Sequence, residues 1–270
     1  MRCLAIIAAH NEERFLGACL EHLVAQGVEA YLIDNESTDR TVATAERFLG
    51  RGLVGIETLP RSDTFSLRAQ LRCKERLALE LDADWFIHQD VDEFRISRRR
   101  RTLAEELAVA DGRGFNAVNF LEFTFVPTRE SADHDHERFR ETMRWYYPFL
   151  PEFPHRLSAW KRQVEPVELA WSGGHRVRFP GLRMAPESLA MRHYLCLSPS
   201  HLERKYGRRR YDPEELAAGW HRWRVAQSPE RVRFPSQGEL RTYISDRRLD
   251  PSDPRTHHML GAYHSANHAE

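Results

Sequence analysis

Residues 84–94 of the chain read Asp-Trp-Phe-Ile-His-Gln-Asp-Val-Asp-Glu-Phe. The apolar run at 85–87 predicts a short buried strand, and the carboxylates of Asp90 and Asp92 follow where that strand would end. In an α/β sheet, side chains at the carboxyl ends of the strands face the ligand crevice. Two carboxylates one residue apart can reach the same hard divalent cation, which completes its shell with water and phosphate oxygens. The stretch therefore predicts a Mn²⁺ or Mg²⁺ site for a diphosphate, and a solvated acidic loop is the alternative.

Strand and helix patterns alternate upstream of this stretch. Apolar runs at 4–9, 30–33 and 53–59 predict three strands, and apolar residues at helical spacing predict a helix after each of them. Thr38 is predicted to cap the second of these helices. Strands that alternate with helices in this way favour an α/β fold with a mostly parallel central sheet. Further along, Thr102 and Glu105 predict a capping box at the start of another helix.

Composition limits the function classes. The chain has 270 residues, with 40 Lys plus Arg and 40 Asp plus Glu, so its net charge steers it toward neither nucleic acid nor acidic membranes. The four cysteines form no C-x-x-C pair, and neither a signal peptide nor a long apolar run is evident. We therefore expect a cytoplasmic protein with no transmembrane segment, whose contact with membrane-bound acceptors would be peripheral.

The common phosphate-binding loops are absent from the sequence. No G-x-G-x-x-G follows the first strand pattern, and no G-x-x-x-x-G-K-[ST] occurs anywhere in the chain. A cation held by carboxylates is therefore the best remaining candidate for binding phosphate.

Three stretches together resemble family 2 glycosyltransferases. They are Ala-Ile-Ile-Ala-Ala-His-Asn-Glu-Glu at 5–13, Ile-Asp-Asn-Glu-Ser-Thr-Asp at 33–39, and the acidic stretch at 84–94. They occur in the order in which that family carries them. The resemblance implies a GT-A fold, which is a Rossmann-like α/β sandwich. It further implies a nucleotide-sugar-binding core at 1–126 and an acceptor-side and C-terminal elaboration of the same domain at 127–270.

The resemblance also implies roles for individual donor-site residues. Asp34 would hydrogen-bond the nucleotide base, and a solvated turn is its structural alternative. Asp90 and Asp92 would form the Asp-x-Asp motif, with Asp90 also facing the donor. The nucleoside pocket would be lined by three residues of the first loop: His10, Asn11 and Glu12.

Arginines offer further candidate anion contacts. Arg68 and Arg72 lie four residues apart on the third predicted helix and could reach diphosphate oxygens bidentately, although surface pairing with Glu75 or Glu80 is the commoner arrangement. The run of four arginines at 98–101 could attract a phosphate or a lipid headgroup, and a solvated loop is the alternative.

A late histidine is a candidate third metal ligand. Metal-dependent transferases of this fold frequently use one, and neutral imidazole suits Mn²⁺. His193, at the end of a predicted strand, is the first choice and His175 the second. Either residue could instead be structural.

The resemblance implies sugar transfer with inversion from a nucleotide-diphosphate donor. UDP is the commonest donor nucleotide of the family, and the acceptor hydroxyl could belong to a glycan, a lipid-linked molecule or a small molecule, in polysaccharide or glycoconjugate synthesis. A carboxylate would take the acceptor proton. Glu122, in the strand after the metal motif, and Glu152, in a loop rich in aromatic residues and proline, are the candidates for this base.

Two other functions remain open at the level of sequence. A sugar-phosphate nucleotidyltransferase shares a related α/β core and metal site, but normally carries a glycine-rich loop after its first strand. Basic and aromatic residues interleave at 205–211 and 219–224, as they do in non-catalytic nucleic-acid-binding modules. The neutral overall charge disfavours the binding module, so no nucleic acid partner is expected.

Overall fold

The structure is a computed structural model that describes residues 1–207, 209–221 and 233–262. Of the two basic-aromatic segments, residues 208 and 222–224 lie outside these ranges. The strands are β1 (Cys3–Ala9), β2 (Glu29–Asp34), β3 (Leu53–Thr58), β4 (Trp85–Gln89), β5 (Glu93–Ile96), β6 (Ala117–Phe125), β7 (Trp145–Phe149), β8 (Arg156–Lys161), β9 (Leu189–Tyr194) and β10 (Arg241–Thr242). The α-helices are α1 (Glu13–Ala25), α2 (Thr41–Glu46), α3 (Leu67–Glu80), α4 (Leu103–Gly112), α5 (Phe139–Thr142), α6 (Pro199–Leu202), α7 (Pro213–Ala217) and α8 (Met259–Ala262).

The N-terminal half of the central sheet is parallel and follows the order β3-β2-β1-β4, which confirms the predicted α/β fold. Ile7 of β1 lies opposite Gln89 of β4, and Ala9 of β1 lies opposite Asp34 of β2. The carboxyl ends of these three strands therefore meet at one edge. In open α/β sheets this edge is where ligands bind.

Strands from the second half of the chain extend the same sheet. Antiparallel β8 follows β4, and β6, β7 and β10 come next. Strand β9 pairs in parallel with β6 and antiparallel with β5, so that His193 lies opposite both Thr124 and Glu93. This pairing brings a residue from far along the chain to the edge that carries Asp90 and Asp92.

Helices cover both faces of the parallel strands. Cys3, Ala5 and Ile7 of β1 belong to the hydrophobic cluster that includes α1, whereas Leu4 and Ile6 belong to the cluster that includes α3. Both faces of β1 are thus removed from water. This explains why its sequence is a continuous apolar run rather than an alternation of apolar and polar residues.

Helix α2 begins later than the sequence indicates. The amide of Thr38 donates to Asn11 Oδ1 at 2.7 Å, and Asn11 Nδ2 donates to Thr38 Oγ1 at 3.2 Å. The Asp39 carboxylate accepts from the Thr41 amide at 2.8 Å, at the first residue of the helix. The prediction that Thr38 caps this helix is wrong, because its polar groups are used to hold the loop that follows β1.

No helix in the described ranges is both long and apolar enough to cross a membrane. The cysteine side chains are all buried free thiols: Cys3, Cys19, Cys73 and Cys196. Burial raises the pKa of the Cys3 thiol to about 12 and that of the Cys73 thiol to about 11, so neither is activated as a thiolate.

Candidate functional site

A cavity of about 600 Å³ opens at the carboxyl ends of β1 and β4. Its wall combines residues from both halves of the chain. Its polar lining includes His10, Glu12, Asp90, Asp92, His193 and Lys205. A cavity of this volume is typical of sites for small molecules and cofactors.

Asp90 presents a reachable carboxylate to this cavity, since its side chain is 49% exposed. Its Oδ1 lies 3.8 Å from Lys74 Nζ and 3.8 Å from His88 Nε2. Lys74 is buried and donates to His88 Nδ1 at 3.0 Å and to the Gln89 carbonyl at 3.0 Å. Because Lys74 donates to Nδ1, the ring proton of neutral His88 is on Nε2, the nitrogen that faces Asp90. Burial raises the Asp90 pKa, but His88 and Lys74 outweigh it and hold that pKa below its usual value.

Asp92 is buried and bound to a second ammonium group. Lys205 Nζ donates to Asp92 Oδ2, and His193 Nε2 lies 3.7 Å from the same oxygen. Burial alone would raise the Asp92 pKa, but Lys205 and His193 lower it far below its usual value. Asp92 is therefore a carboxylate at every physiological pH.

The buried carboxylate of Glu122 orients the His193 ring through its Nδ1 atom. His193 Nδ1 lies 2.7 Å from Glu122 Oε1, and Arg156 Nε donates to Glu122 Oε2 at 2.7 Å. A carboxylate behind an imidazole fixes the orientation of the ring, as it does for many metal-ligating histidines. Burial lowers the His193 pKa, but Glu122 and Asp92 raise it to about 10.

The residues at this edge include ligand types that a divalent cation accepts. Asp90 and Asp92 supply carboxylate oxygens, and His193 supplies an imidazole nitrogen once its raised pKa is overcome and the ring releases a proton. Within the described ranges, no group of three His, Cys, Asp or Glu side chains is arranged so that it could hold a metal ion. Phosphate or water oxygens would therefore have to complete the shell, as is usual for ions that bind nucleotides. The ammonium of Lys205 lies on the Asp92 oxygen that a cation would share with His193.

Of the four residues predicted to bind the nucleoside, two line the cavity and two do not. His10 and Glu12 line the cavity, and His10 Nδ1 lies 2.9 Å from the Asn35 carbonyl. Asn11 and Asp34 do not line it. Asn11 holds Thr38, while the buried Asp34 carboxylate accepts from the Ser37 amide at 3.1 Å.

Arg68 and Arg72 lie on the surface of α3 rather than on the cavity wall. Arg72 Nη1 donates to Glu75 Oε2 at 2.9 Å, which is the surface pairing that the sequence left open. Arg68 lies over the ring of Trp220, with 5.5 Å between the guanidinium carbon and the ring centroid. Neither guanidinium group contacts Asp90 or Asp92.

The two predicted base candidates occupy different environments. Glu122 is fully enclosed and fully engaged with Arg156 and His193. Glu152 lines the cavity, is half exposed, and accepts from Arg176 Nη1 at 2.8 Å. His175, the second choice for a metal ligand, lines the same cavity and packs edge-on against His155 with 5.1 Å between ring centroids.

The sequence motifs do not include the two ammonium groups of the site, which belong to Lys74 and Lys205. A signal for Lys74 was present, because it occupies a buried position of α3 between Leu71 and Ala78, where an apolar residue is expected. Lys205 begins the basic-aromatic segment at 205–211, but that pattern does not indicate a contact with Asp92. Lys205 lies 113 positions from Asp92, and only the folded chain brings the two together.

Comparison with known proteins supports the class indicated by the motifs. Residues 4–93 match the family model described as Glycosyl transferase family 2. This match confirms the resemblance noted in the sequence, over residues 4–93. No curated protein matches the chain.

Solved structures with a similar backbone are distant in sequence. S. aureus TarS 1–349 is 12% identical with a TM-score of 0.44, and the match covers 72% of this chain and 60% of that one. The same protein in complex with UDP-GlcNAc is 12% identical with a TM-score of 0.42, over 72% of this chain and 58% of that one. Glucosyl-3-phosphoglycerate synthase from Mycobacterium tuberculosis, with Mn²⁺, UDP and phosphoglyceric acid, is 19% identical with a TM-score of 0.31, over 45% and 43% of the two chains. The chain thus spans about 60% or less of the length of these proteins.

Proposed function

We propose that the protein is a metal-dependent glycosyltransferase that moves a sugar, with inversion, from a nucleotide-diphosphate donor to an acceptor hydroxyl. UDP is the proposed nucleotide, because it is the commonest donor nucleotide of the family that the motifs resemble. The observation that supports the proposal most directly is the pair Asp90 and Asp92 at the meeting point of three strand ends, with His193 held against Asp92 by Glu122.

In this proposal Asp90, Asp92 and His193 would hold the cation. When bound, the cation would stabilise the negative charge of the leaving nucleoside diphosphate. Glu122 is a positioning residue that fixes the His193 ring. Lys74 is a second positioning residue. Its ammonium lies 3.8 Å from Asp90 Oδ1 and keeps the Asp90 carboxylate ionised and oriented.

We assign the acceptor proton to Glu152 rather than to Glu122. In an inverting transfer, the bond between the anomeric carbon and the diphosphate oxygen breaks as the acceptor oxygen bonds to that carbon from the opposite face. The acceptor hydroxyl loses its proton to a carboxylate. Glu152 lines the cavity, whereas both oxygens of Glu122 are already bound. Residues 1–126 would thus bind the donor, and residues 127–270 would supply His193, Lys205 and the acceptor side.

Turnover of radiolabelled nucleotide-sugars in the presence of Mn²⁺ tests the proposal. We expect turnover by the unchanged protein, and a loss on the order of a hundredfold or more in Asp92→Asn, because the charge that holds the cation is removed. Asp82→Asn, at a 90% exposed carboxylate that precedes the start of β4, the end of that strand opposite Asp90, is the matched control and should retain full activity.

A thermal-shift panel separates the transferase from the nucleotidyltransferase. UDP together with Mn²⁺ should raise the melting temperature more than either does alone, because a ligand that binds the folded state stabilises it. Stabilisation by a nucleoside triphosphate together with a sugar phosphate, but not by UDP with Mn²⁺, would instead identify a nucleotidyltransferase.

A further inference from the structure

A second cavity, of about 330 Å³, lies beyond the other end of β5. Glu93 at the start of β5 lines the candidate site, and Ser97 just after its end lines this second cavity. A strand of four residues is about 13 Å long, so the two cavities are separate but near each other. The second cavity has an apolar floor, which includes Val109, Phe115 and Leu189.

The rim of this cavity is rich in arginine. It carries four guanidinium groups and two carboxylates: Arg98, Arg99, Arg113, Arg247, Glu106 and Glu187. The carboxylates are already engaged. Glu187 pairs with Arg99 at 2.5 Å, and Glu106 accepts from Ser97 Oγ at 2.7 Å and lies 3.7 Å from Arg101.

Three rim arginines form no salt bridge with any carboxylate that the structure describes: Arg98, Arg113 and Arg247. The Nε of Arg98 is buried and has no hydrogen-bond acceptor among the described residues. Because the whole chain has a net charge of zero, this excess of positive charge is a local feature rather than a consequence of a basic composition. A buried donor without an acceptor destabilises the folded state, and an anion that accepted a hydrogen bond from it would remove this destabilisation.

We propose that the arginine-rimmed cavity binds the phosphate headgroup of an anionic phospholipid and docks the protein on a membrane surface. Guanidinium groups bind phosphate oxygens bidentately, and the apolar floor would receive the methylene groups next to the phosphate. Exposed Arg100 and Arg248 lie beside the rim residues along the chain and extend the positive surface.

An exposed apolar side chain near Arg247 in the sequence favours a lipid over a soluble phosphate. Ile244 is 60% exposed and lies three residues before Arg247. An exposed apolar side chain beside basic residues is the combination that binds the interface of anionic membranes, since the basic residues bind headgroups and the apolar side chain enters the acyl boundary. A site for a soluble phosphate would gain no affinity from an exposed apolar side chain.

Vesicle sedimentation tests this inference independently of any transfer activity. The unchanged protein should bind vesicles of phosphatidylcholine mixed with an equal amount of phosphatidylglycerol, should not bind pure phosphatidylcholine, and should be released by high salt. The triple variant Arg98→Gln, Arg113→Gln, Arg247→Gln should bind the anionic vesicles on the order of a hundredfold more weakly, at about fivefold for each arginine.

The control removes the same charge elsewhere. Arg138, Arg162 and Arg178 are exposed and each pairs with a carboxylate, so replacing all three with Gln should leave vesicle binding almost unchanged. Ile244→Ser should weaken binding to vesicles but should not alter any shift in melting temperature caused by inorganic phosphate. Melting temperatures of all variants verify that they are folded.

Two outcomes would overturn the inference. Equal losses in the rim variant and the control variant would show that binding follows total charge rather than this cavity. Stabilisation by inorganic phosphate through the rim arginines, without binding to anionic vesicles, would show a soluble-phosphate site in place of a lipid site.

Discussion

Each aspartate of the acidic motif has one buried ammonium group beside it. Lys74 lies behind Asp90, and Lys205 binds Asp92 directly. The two lysines differ in what a cation would require of them. Lys74 is anchored by His88 and the Gln89 carbonyl and can stay in place, whereas Lys205 lies on the oxygen that a cation would use. A cation on that oxygen would therefore require Lys205 to move away from Asp92.

Replacing Lys205 with Met should strengthen binding of Mn²⁺ in the absence of nucleotide. The ammonium competes for Asp92, and its removal should increase affinity on the order of tenfold. Isothermal titration with Mn²⁺ measures this effect. Lys161→Met is the control, since Lys161 is a half-exposed lysine paired with Asp111. Unchanged or weaker binding in Lys205→Met would contradict the competition.

The stability of the metal-free protein should fall between neutral and alkaline pH. The pKa of His193 is raised to about 10 in the folded protein, above the value of about 6.5 expected in the unfolded chain. The stability that protonated His193 contributes is complete below pH about 6.5 and is lost as the pH rises through about 10. Urea unfolding across this range should show the loss in the unchanged protein and a flatter profile in His193→Gln. Equal slopes for both would contradict this assignment.

Replacing Glu122 with Gln should destabilise the protein by about 3–5 kcal/mol, because the buried Arg156 and His193 would lose their nearest countercharge. Urea unfolding measures the change. Glu141→Gln, which removes an exposed carboxylate paired with Arg138, should cost less than about 1 kcal/mol. Similar costs for the two variants would show that Glu122 is not essential to the buried network.

At the scale of single elements, a capping residue in the sequence predicted the start of a helix correctly only where that residue has no other hydrogen-bond partner. The Thr102 and Glu105 capping box of α4 is confirmed, with Glu105 Oε2 accepting from the Thr102 amide at 2.7 Å and Thr102 Oγ1 accepting from the Glu105 amide at 3.3 Å. Thr38 had an equally good local sequence but is bound by Asn11, 27 positions away. Local sequence cannot reveal such competition.

Thr102→Ala should cost about 1 kcal/mol of stability, since it removes the acceptor for a helix amide that has no other partner in the first turn. Chemical denaturation provides the measurement. Ser62→Ala, at an exposed serine bonded only within its own turn, should change the stability by no more than about 0.5 kcal/mol. A cost for Thr102→Ala no larger than that of the control would mean that the cap is not stabilising.

At the scale of the whole molecule, the sequence predicted the parallel half of the sheet better than the rest. Strands β1, β2, β3 and β4 each carry a compact apolar run, and parallel pairing follows from the helices between them. The insertion of β8 between β4 and β6, and the pairing of β9 with both β5 and β6, depend on contacts between distant segments. For the same reason the motif identified Asp90 and Asp92, whereas the contacts of Lys205 with Asp92 and of Glu122 with His193 became evident only in the folded chain.

A crystal structure with UDP and Mn²⁺, using the anomalous signal of manganese, tests the central claim most directly. The account predicts a manganese peak about 2 Å from an Asp92 oxygen and from His193 Nε2, bridged to the diphosphate, with Lys205 moved from Asp92 to a phosphate oxygen. Bound UDP with Lys205 still on Asp92, and no manganese between Asp92 and His193, would contradict it.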